Sequence, residues 1–253
     1  MKALKAIALN TFRETVRDKL LYSLVAFAVI VLGASLLAGS VSLGQDTRVV
    51  QDFGLMAILV FQLIISLFIG TQLVWREVEH KTIYMVLSKP VSRNTFYLGK
   101  FFGLCLTLLV TGLVMGGLFL ILVGYKTHTV QAVSIIAISY TILEAWLLTA
   151  VGLLFSAFTT PLASAVYTFC LALIGHSSAT IWIISQKSGS IIKGLLEGIY
   201  YLLPNLEKFN YRNDVVFNLP PDGRQTALVA LYFLGYTIAL LLLGMAAFRR
   251  DEF

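Results

Sequence analysis

Inside the long apolar runs of this 253-residue chain, Tyr140, Glu144 and His176 are the side chains with chemistry to offer. Glu144 falls near the middle of its run, where an unpaired charge costs at least a few kcal/mol, so it must be neutral, paired, or turned toward a polar cavity. Tyr140, one helical turn earlier, is placed to hydrogen-bond to it. Glu144 then either lines a translocation path or fixes a helix pair. His176, toward the end of the next run, either joins that path or sits near lipid headgroups. An intramembrane enzyme would need paired carboxylates with His ligands, or a Ser–His set, and neither spacing occurs. Cys105 and Cys170 both lie in apolar runs without the spacing of a disulfide framework or a metal cluster, and both are expected as buried free thiols. The phosphate-cradling pattern G-x-x-x-x-G-K-[ST] is missing. No catalytic residue, metal or cofactor is therefore assigned to the chain.

The elements that carry these residues are membrane spans. Hydrophobic residues make up 58% of the chain and charged ones 13%, and a mean hydropathy of +0.86 excludes a soluble domain. The net charge of +6 is spread between apolar runs and makes no dense patch, which argues against nucleic acid. A hydrocarbon core of about 30 Å takes about 20 helical residues to cross. Runs of that length occur near 20–40, 53–75, 100–124, 131–155, 162–184 and 225–247. The fold class predicted is all-α: a polytopic membrane protein with six transmembrane helices in one domain over 1–253. About nineteen residues of organised polar helix precede the first run, so a retained span is expected there and not a cleaved signal. Twelve of the 19 Lys and Arg residues flank one side of these spans and seven the other, five of those seven in the long loop 185–224. Both termini are expected in the cytoplasm.

Residues 76–98 form a charged, Pro-broken island between the second and third spans. Glu77 and Lys81 can pair at i and i+4, extending the second span as a helix. Ile83, Met85, Val86 and Leu87 give an apolar surface that calls for a partner. Pro90 disfavours helical geometry at Lys89, and Ser92 is placed to cap a new helix leading into the third span. The segment reads as a helix, a bend and a second helix on the cytoplasmic side.

Three further features are organised. Residues 1–19 set Leu4, Ile7, Ala8, Phe12 and Val16 at helical spacing, with Lys5, Arg13, Glu14 and Arg17 on other faces, which predicts an amphipathic interfacial helix. Gly99 and Gly103, then Gly112 and Gly116, predict close helix packing along the third span. In the outer loop 185–224, Ile191, Ile192, Leu195, Leu196, Ile199, Leu202 and Leu203 form an apolar face. Lys193 and Glu197 make an i, i+4 pair, Pro204 stops the run, and Pro220–Gly223 turn the chain into the last span.

The run from Glu77 through Lys100, with Glu79, Lys81, Thr82, Leu87, Ser88, Lys89, Pro90, Val91, Ser92, Arg93 and Gly99, resembles the permease subunits of ABC transporters of the ABC-two type. The six-span layout, the amino-terminal helix and the Pro204-Asn205-Leu206-Glu207 stretch resemble them too, nearest to the branch associated with multicopper-enzyme maturation. The resemblance implies a permease subunit, an exporter, in the bacterial plasma (inner) membrane. It would dimerise with a second copy or a sister permease and bind ABC ATPase subunits that hold ATP and Mg. It makes Glu77, Glu79, Lys81, Ile83, Leu87, Pro90 and Arg93 the ATPase-coupling residues, and Phe12, Arg13 and Arg17 part of a connecting helix near them. It makes Tyr200, Pro204, Asn205 and Glu207 an outer gate, or a docking surface for a periplasmic protein. Two rivals stand beside it. One is an ion-coupled secondary transporter, for which one central Glu is sparse. The other is a mechanotransmitting subunit acting on a periplasmic partner.

Overall fold

The computed structural model describes residues 2–41, 46–79, 92–127 and 131–250, with the side chains of 20, 36, 38, 40, 41, 69–79, 249 and 250 outside that description. Among the described residues every element is a helix: α1 Lys2–Val16, α2 Lys19–Val41, α3 Asp46–Glu79, α4 Arg93–Thr127, α5 Ala132–Ser156, α6 Pro161–His176, α7 Ser178–Lys187, α8 Ser190–Leu202, a 3-10 turn Leu206–Phe209, α9 Arg212–Val216 and α10 Gly223–Arg250. With no water in a bilayer core to satisfy backbone polar groups, helices that bond internally are what such apolar runs must form.

Four helices, α3, α4, α5 and α10, are long and apolar enough to cross a membrane singly. Two bent pairs raise the number to as many as six if each pair makes one span: α1 with α2 at 62°, and α6 with α7 at 61°. The first bend sets α1 off the axis of the helix it leads into. The second corrects the expectation of one continuous span over 162–184. The helix breaks at Ser177, whose hydroxyl donates back to the Leu173 carbonyl at 2.8 Å, a local bond that competes with the helical ladder.

The ends of the elements follow local chemistry. Ser92 caps α4, accepting the Thr95 backbone N–H at 3.3 Å. Asp46 opens α3, where the helix dipole favours an acid, and pairs with Lys126 at the end of α4 at 3.3 Å. Pro161 occupies the first turn of α6, where its missing N–H costs nothing. The amphipathic α8 ends at Leu202, two residues before Pro204, and Lys193 meets Glu197 at 3.8 Å.

Helices α3, α4 and α5 form the centre, with α2 packed on α3, α1 along α4 and α10 against α5. Polar groups join them. Gln62 Nε2 donates to the Leu108 carbonyl at 3.1 Å, Ser66 and Thr149 hydroxyls meet at 3.0 Å, and Trp146 Nε1 donates to the Cys105 carbonyl at 2.9 Å. Each such bond contributes roughly 0.6 kcal/mol in a membrane, where apolar burial between helices has little force. Cys105 is buried as expected, but Cys170 is exposed on α6, because its position turns away from the face that α6 presents to its neighbours.

Candidate functional site

Glu144 is 2% exposed on α5, and it does not stand alone. Its Oε1 lies 2.8 Å from Nε2 of His176, the last residue of α6. Nδ1 of the same imidazole is 3.9 Å from Glu207 Oε2 on the 3-10 turn. The two groups are within ion-pair distance, charged only when His176 is protonated, but not aligned as a hydrogen bond, so both Glu144 oxygens keep unmet hydrogen-bonding capacity among the described residues. A protonated His176 bridges two carboxylates; a neutral one donates from only one ring nitrogen.

The polar chain continues outward. Glu207 Oε1 accepts from Asn210 Nδ2 at 3.1 Å, Asn210 Oδ1 accepts the Arg212 backbone N–H at 3.2 Å, and Arg212 Nε pairs with Asp52 Oδ1 on α3 at 3.3 Å. One connected set of contacts thus ties α5, α6, the 3-10 turn, α9 and α3.

Packing seats this chain. A Cβ on Gly175 would lie 2.7 Å from Leu206 Cγ and 2.8 Å from the Pro204 carbonyl, so only glycine lets the turn settle on α6 beside His176. Leu206 and Phe209 are fully buried beneath it. Tyr140 does not bond to Glu144 as the sequence suggested. Its hydroxyl donates to the Thr226 carbonyl at 2.6 Å and its ring packs 4.8 Å from that of Tyr211, because the phenol reaches past the next turn to the start of α10. Burial, and then the charges of Asp214 and Asp222, push the Tyr211 phenol up, so it stays protonated.

The residues grouped as an outer gate divide in two. Pro204 and Glu207 face α6 and the Glu144–His176 pair. Tyr200 and Asn205 line a cavity on the other side of the same segment.

At the opposite end, the first turns of α4 are enclosed by two other helices. A Cβ on Gly99 would lie 2.7 Å from Ile7 Cγ2, and one on Gly103 2.5 Å from Thr11 Cβ, so the expected close packing of these glycines is with α1. Lys100, 1% exposed, pairs with Glu14 Oε2 at 3.7 Å, and its ammonium sits 5.8 Å from the Phe96 ring centroid. From α10, Phe248 stacks on Phe96 at 6.2 Å and meets Tyr97 at 6.0 Å. Helix α1 docks through Ile7, Thr11 and Thr15, while Phe12 is half-buried and Arg13 and Arg17 are exposed.

Of the coupling residues, Lys81, Ile83, Leu87 and Pro90 lie outside the described residues. Glu77 and Glu79 are placed by backbone in the last turns of α3, and Arg93 is half-buried in the first turn of α4. The sequence reading gave no site role to Thr11, Thr15 and Lys100 at one end, or to Asp52 and Arg212 at the other. The small residues at 99 and 103 were the available signal for the first set, since a groove of that spacing accepts a ridge of the same spacing. Among the described residues no group of three metal-binding side chains converges.

A search of curated proteins gives no significant match. A family model described as ABC-2 family transporter protein matches residues 5–253, and permeases of that family are membrane subunits that work with ABC ATPases and usually dimerise. With its apolar helices, its buried interhelical polar contacts and this match over nearly the whole length, the chain belongs to the ABC-2 transporter family as a multi-pass membrane permease.

Proposed function

We propose that this permease is the membrane half of an ATP-driven exporter in the bacterial inner membrane, with both termini cytoplasmic, and that residues 76–98 receive the motion of separate ATPase subunits. ATP and Mg are held by those subunits, which close on nucleotide. The bundle follows because closed ATPases bind one of its arrangements more tightly than the other, which shifts the population. Glu77, Glu79, Lys81, Ile83, Leu87, Pro90 and Arg93 form the contact, and α1, with Phe12, Arg13 and Arg17, lies beside it.

The observation that carries this reading is the enclosure of Phe96–Lys100. These residues form the end of the coupling segment and the turn just past it, and all but the half-buried Leu98 are buried, against α1 through Gly99 and against α10 through Phe248. A displacement of the segment therefore moves three helices at once, since close-packed interiors transmit strain and do not absorb it. At the outer end, Glu144, His176 and Glu207 act as a latch that holds the 3-10 turn on α5 and α6 in one arrangement and releases it in the other.

Reconstitution with the ATPase partner tests the reading. Pro90→Ala and Glu77→Gln should leave insertion and ATP hydrolysis intact while transport falls roughly tenfold or more, a coupling loss of ~1.4 kcal/mol or greater. Normal transport by both variants would overturn the coupling assignment.

A further inference from the structure

A half-open cavity of about 280 Å³ lies between α7, α8 and α10, lined among others by Trp182, Tyr200, Asn205, Lys208, Tyr232 and Tyr236. Its aromatic wall is fixed in place. Trp182 packs 5.0 Å from Tyr200, and Tyr232 packs 5.6 Å from Tyr236. The hydroxyl of Tyr232 accepts the Asn205 backbone N–H at 2.9 Å, and that of Tyr236 donates to the Leu202 carbonyl at 2.6 Å. Both hydroxyls are anchored to backbone, with the Tyr232 O–H still able to donate, and the rings offer their faces.

Two polar groups at the cavity are open to a ligand, one an exposed cation and one a buried acceptor. Lys208 Nζ sits 4.4 Å from the Tyr232 ring centroid and makes no ion pair among the described residues. Asn205 Oδ1 is buried without a hydrogen-bond donor there. A cation beside an orphaned acceptor asks for a ligand carrying both a negative charge and a hydroxyl.

Depth decides where that ligand comes from. At 1.5 Å per residue, Tyr232 and Tyr236 lie roughly 14 and 20 Å along α10 from Gly223, below the point where the helix turns apolar. The neighbouring face of α10 is bare, with Leu228, Leu231, Leu234 and Ile238 all more than half exposed. A soluble ligand would have to reach an ammonium set against a lipid-facing wall. In a bilayer, that wall would face lipid acyl chains.

We propose that this cavity binds the headgroup of a polyol phospholipid, its phosphate on Lys208, its hydroxyls toward Asn205, and its acyl chains along the exposed face of α10. The proposal rests on the reading above only in taking these helices as membrane-spanning. It is independent of ATPase coupling.

Trp182 supplies the readout. The full-length protein is placed in phosphatidylcholine nanodiscs containing a minor fraction of either phosphatidylglycerol or phosphatidylcholine with a nitroxide high on the acyl chain. Quenching of Trp182 is isolated by subtracting the Trp182→Phe protein. Phosphatidylglycerol should associate about fivefold more strongly, the ratio one lysine gives near an anionic lipid surface. Lys208→Gln should bring that ratio to about one, and Lys208→Arg should keep it. Equal quenching by the two lipids, or a ratio unchanged by Lys208→Gln, would overturn the proposal. So would displacement by inorganic phosphate, which would make the ligand a soluble anion, or a Trp182 that neither lipid reaches, which would mean that another chain covers the face. ATP-driven transport read in parallel separates the two claims, since uncoupled variants should keep the lipid preference unchanged.

Discussion

Around the start of α4, Gly99 and Gly103 bring its backbone against Ile7 and Thr11 of α1, and Phe248 closes the other side by stacking on Phe96. Around the end of α6, Glu144, His176 and Glu207 meet across 2.8 and 3.9 Å through ionisable groups, with a short 3-10 turn as the only regular element between α8 and α9. Apolar interdigitation has no alternative partner a fraction of an ångström away, so that end moves as one body. Charge pairs have discrete made and broken states, and their balance changes with one proton or one shift of a turn. The proposed scheme, driven from one end and opened at the other, requires such a difference.

Breaking the outer pair should have the largest effect. His176→Leu leaves Glu144 buried without its cation, which costs about 3–5 kcal/mol, and thermal unfolding in nanodiscs should show it as a large loss of stability. Adding Glu144→Gln to that variant should recover most of the loss, because the neutral amide no longer needs a counter-charge. If the double variant is no more stable than the single one, the two residues are not coupled. Glu144→Gln alone, with unchanged expression and unchanged transport, would remove the functional role given to this pair.

A smaller effect is expected from Gly103→Leu, whose side chain must displace Thr11 and the Ala8 carbonyl, already 2.5 and 2.7 Å from a Cβ. Overpacking of this kind costs about 1–3 kcal/mol. The sharper sign is uncoupling: ATP hydrolysis should persist while transport falls, since α1 no longer follows α4. Unaltered transport would separate α1 from the coupling route. The smallest effect belongs to Asp52→Asn. Its pair with Arg212 is half-exposed, and such pairs contribute roughly 0.2–1 kcal/mol. A shift in melting temperature as large as that of His176→Leu would mean that the Arg212 pair anchors this end of the bundle as strongly as His176 does.

Much of the architecture was legible because membrane spans are written in length and apolarity, and Ser92 announced the start of α4 by its position after Pro90. The fifth span misled, since the run 162–184 is apolar enough throughout, and the break comes from the small polar pair Ser177-Ser178 and from the packing of Leu206 on Gly175. The glycines at 99 and 103 declared a close approach without naming the helix that makes it. Spacing along one helix suggested that Tyr140 serves Glu144, but the phenol is long enough to bond elsewhere, and the true partner, His176, belongs to a different helix. Contacts between distant helices leave no periodic trace, which is why Lys100–Glu14 and Arg212–Asp52 were not foreseen. Cys170 was judged by the run it sits in, whereas exposure is set by the face it takes.

The most direct test of the whole scheme is site-specific photo-crosslinking from Ile83 and Leu87 in complexes purified from native membranes. Crosslinks to an ATP-hydrolysing subunit, strengthened or weakened by nucleotide, are the predicted result. Crosslinks to lipid alone, or a purified assembly in which no ATPase touches residues 76–98, would contradict it.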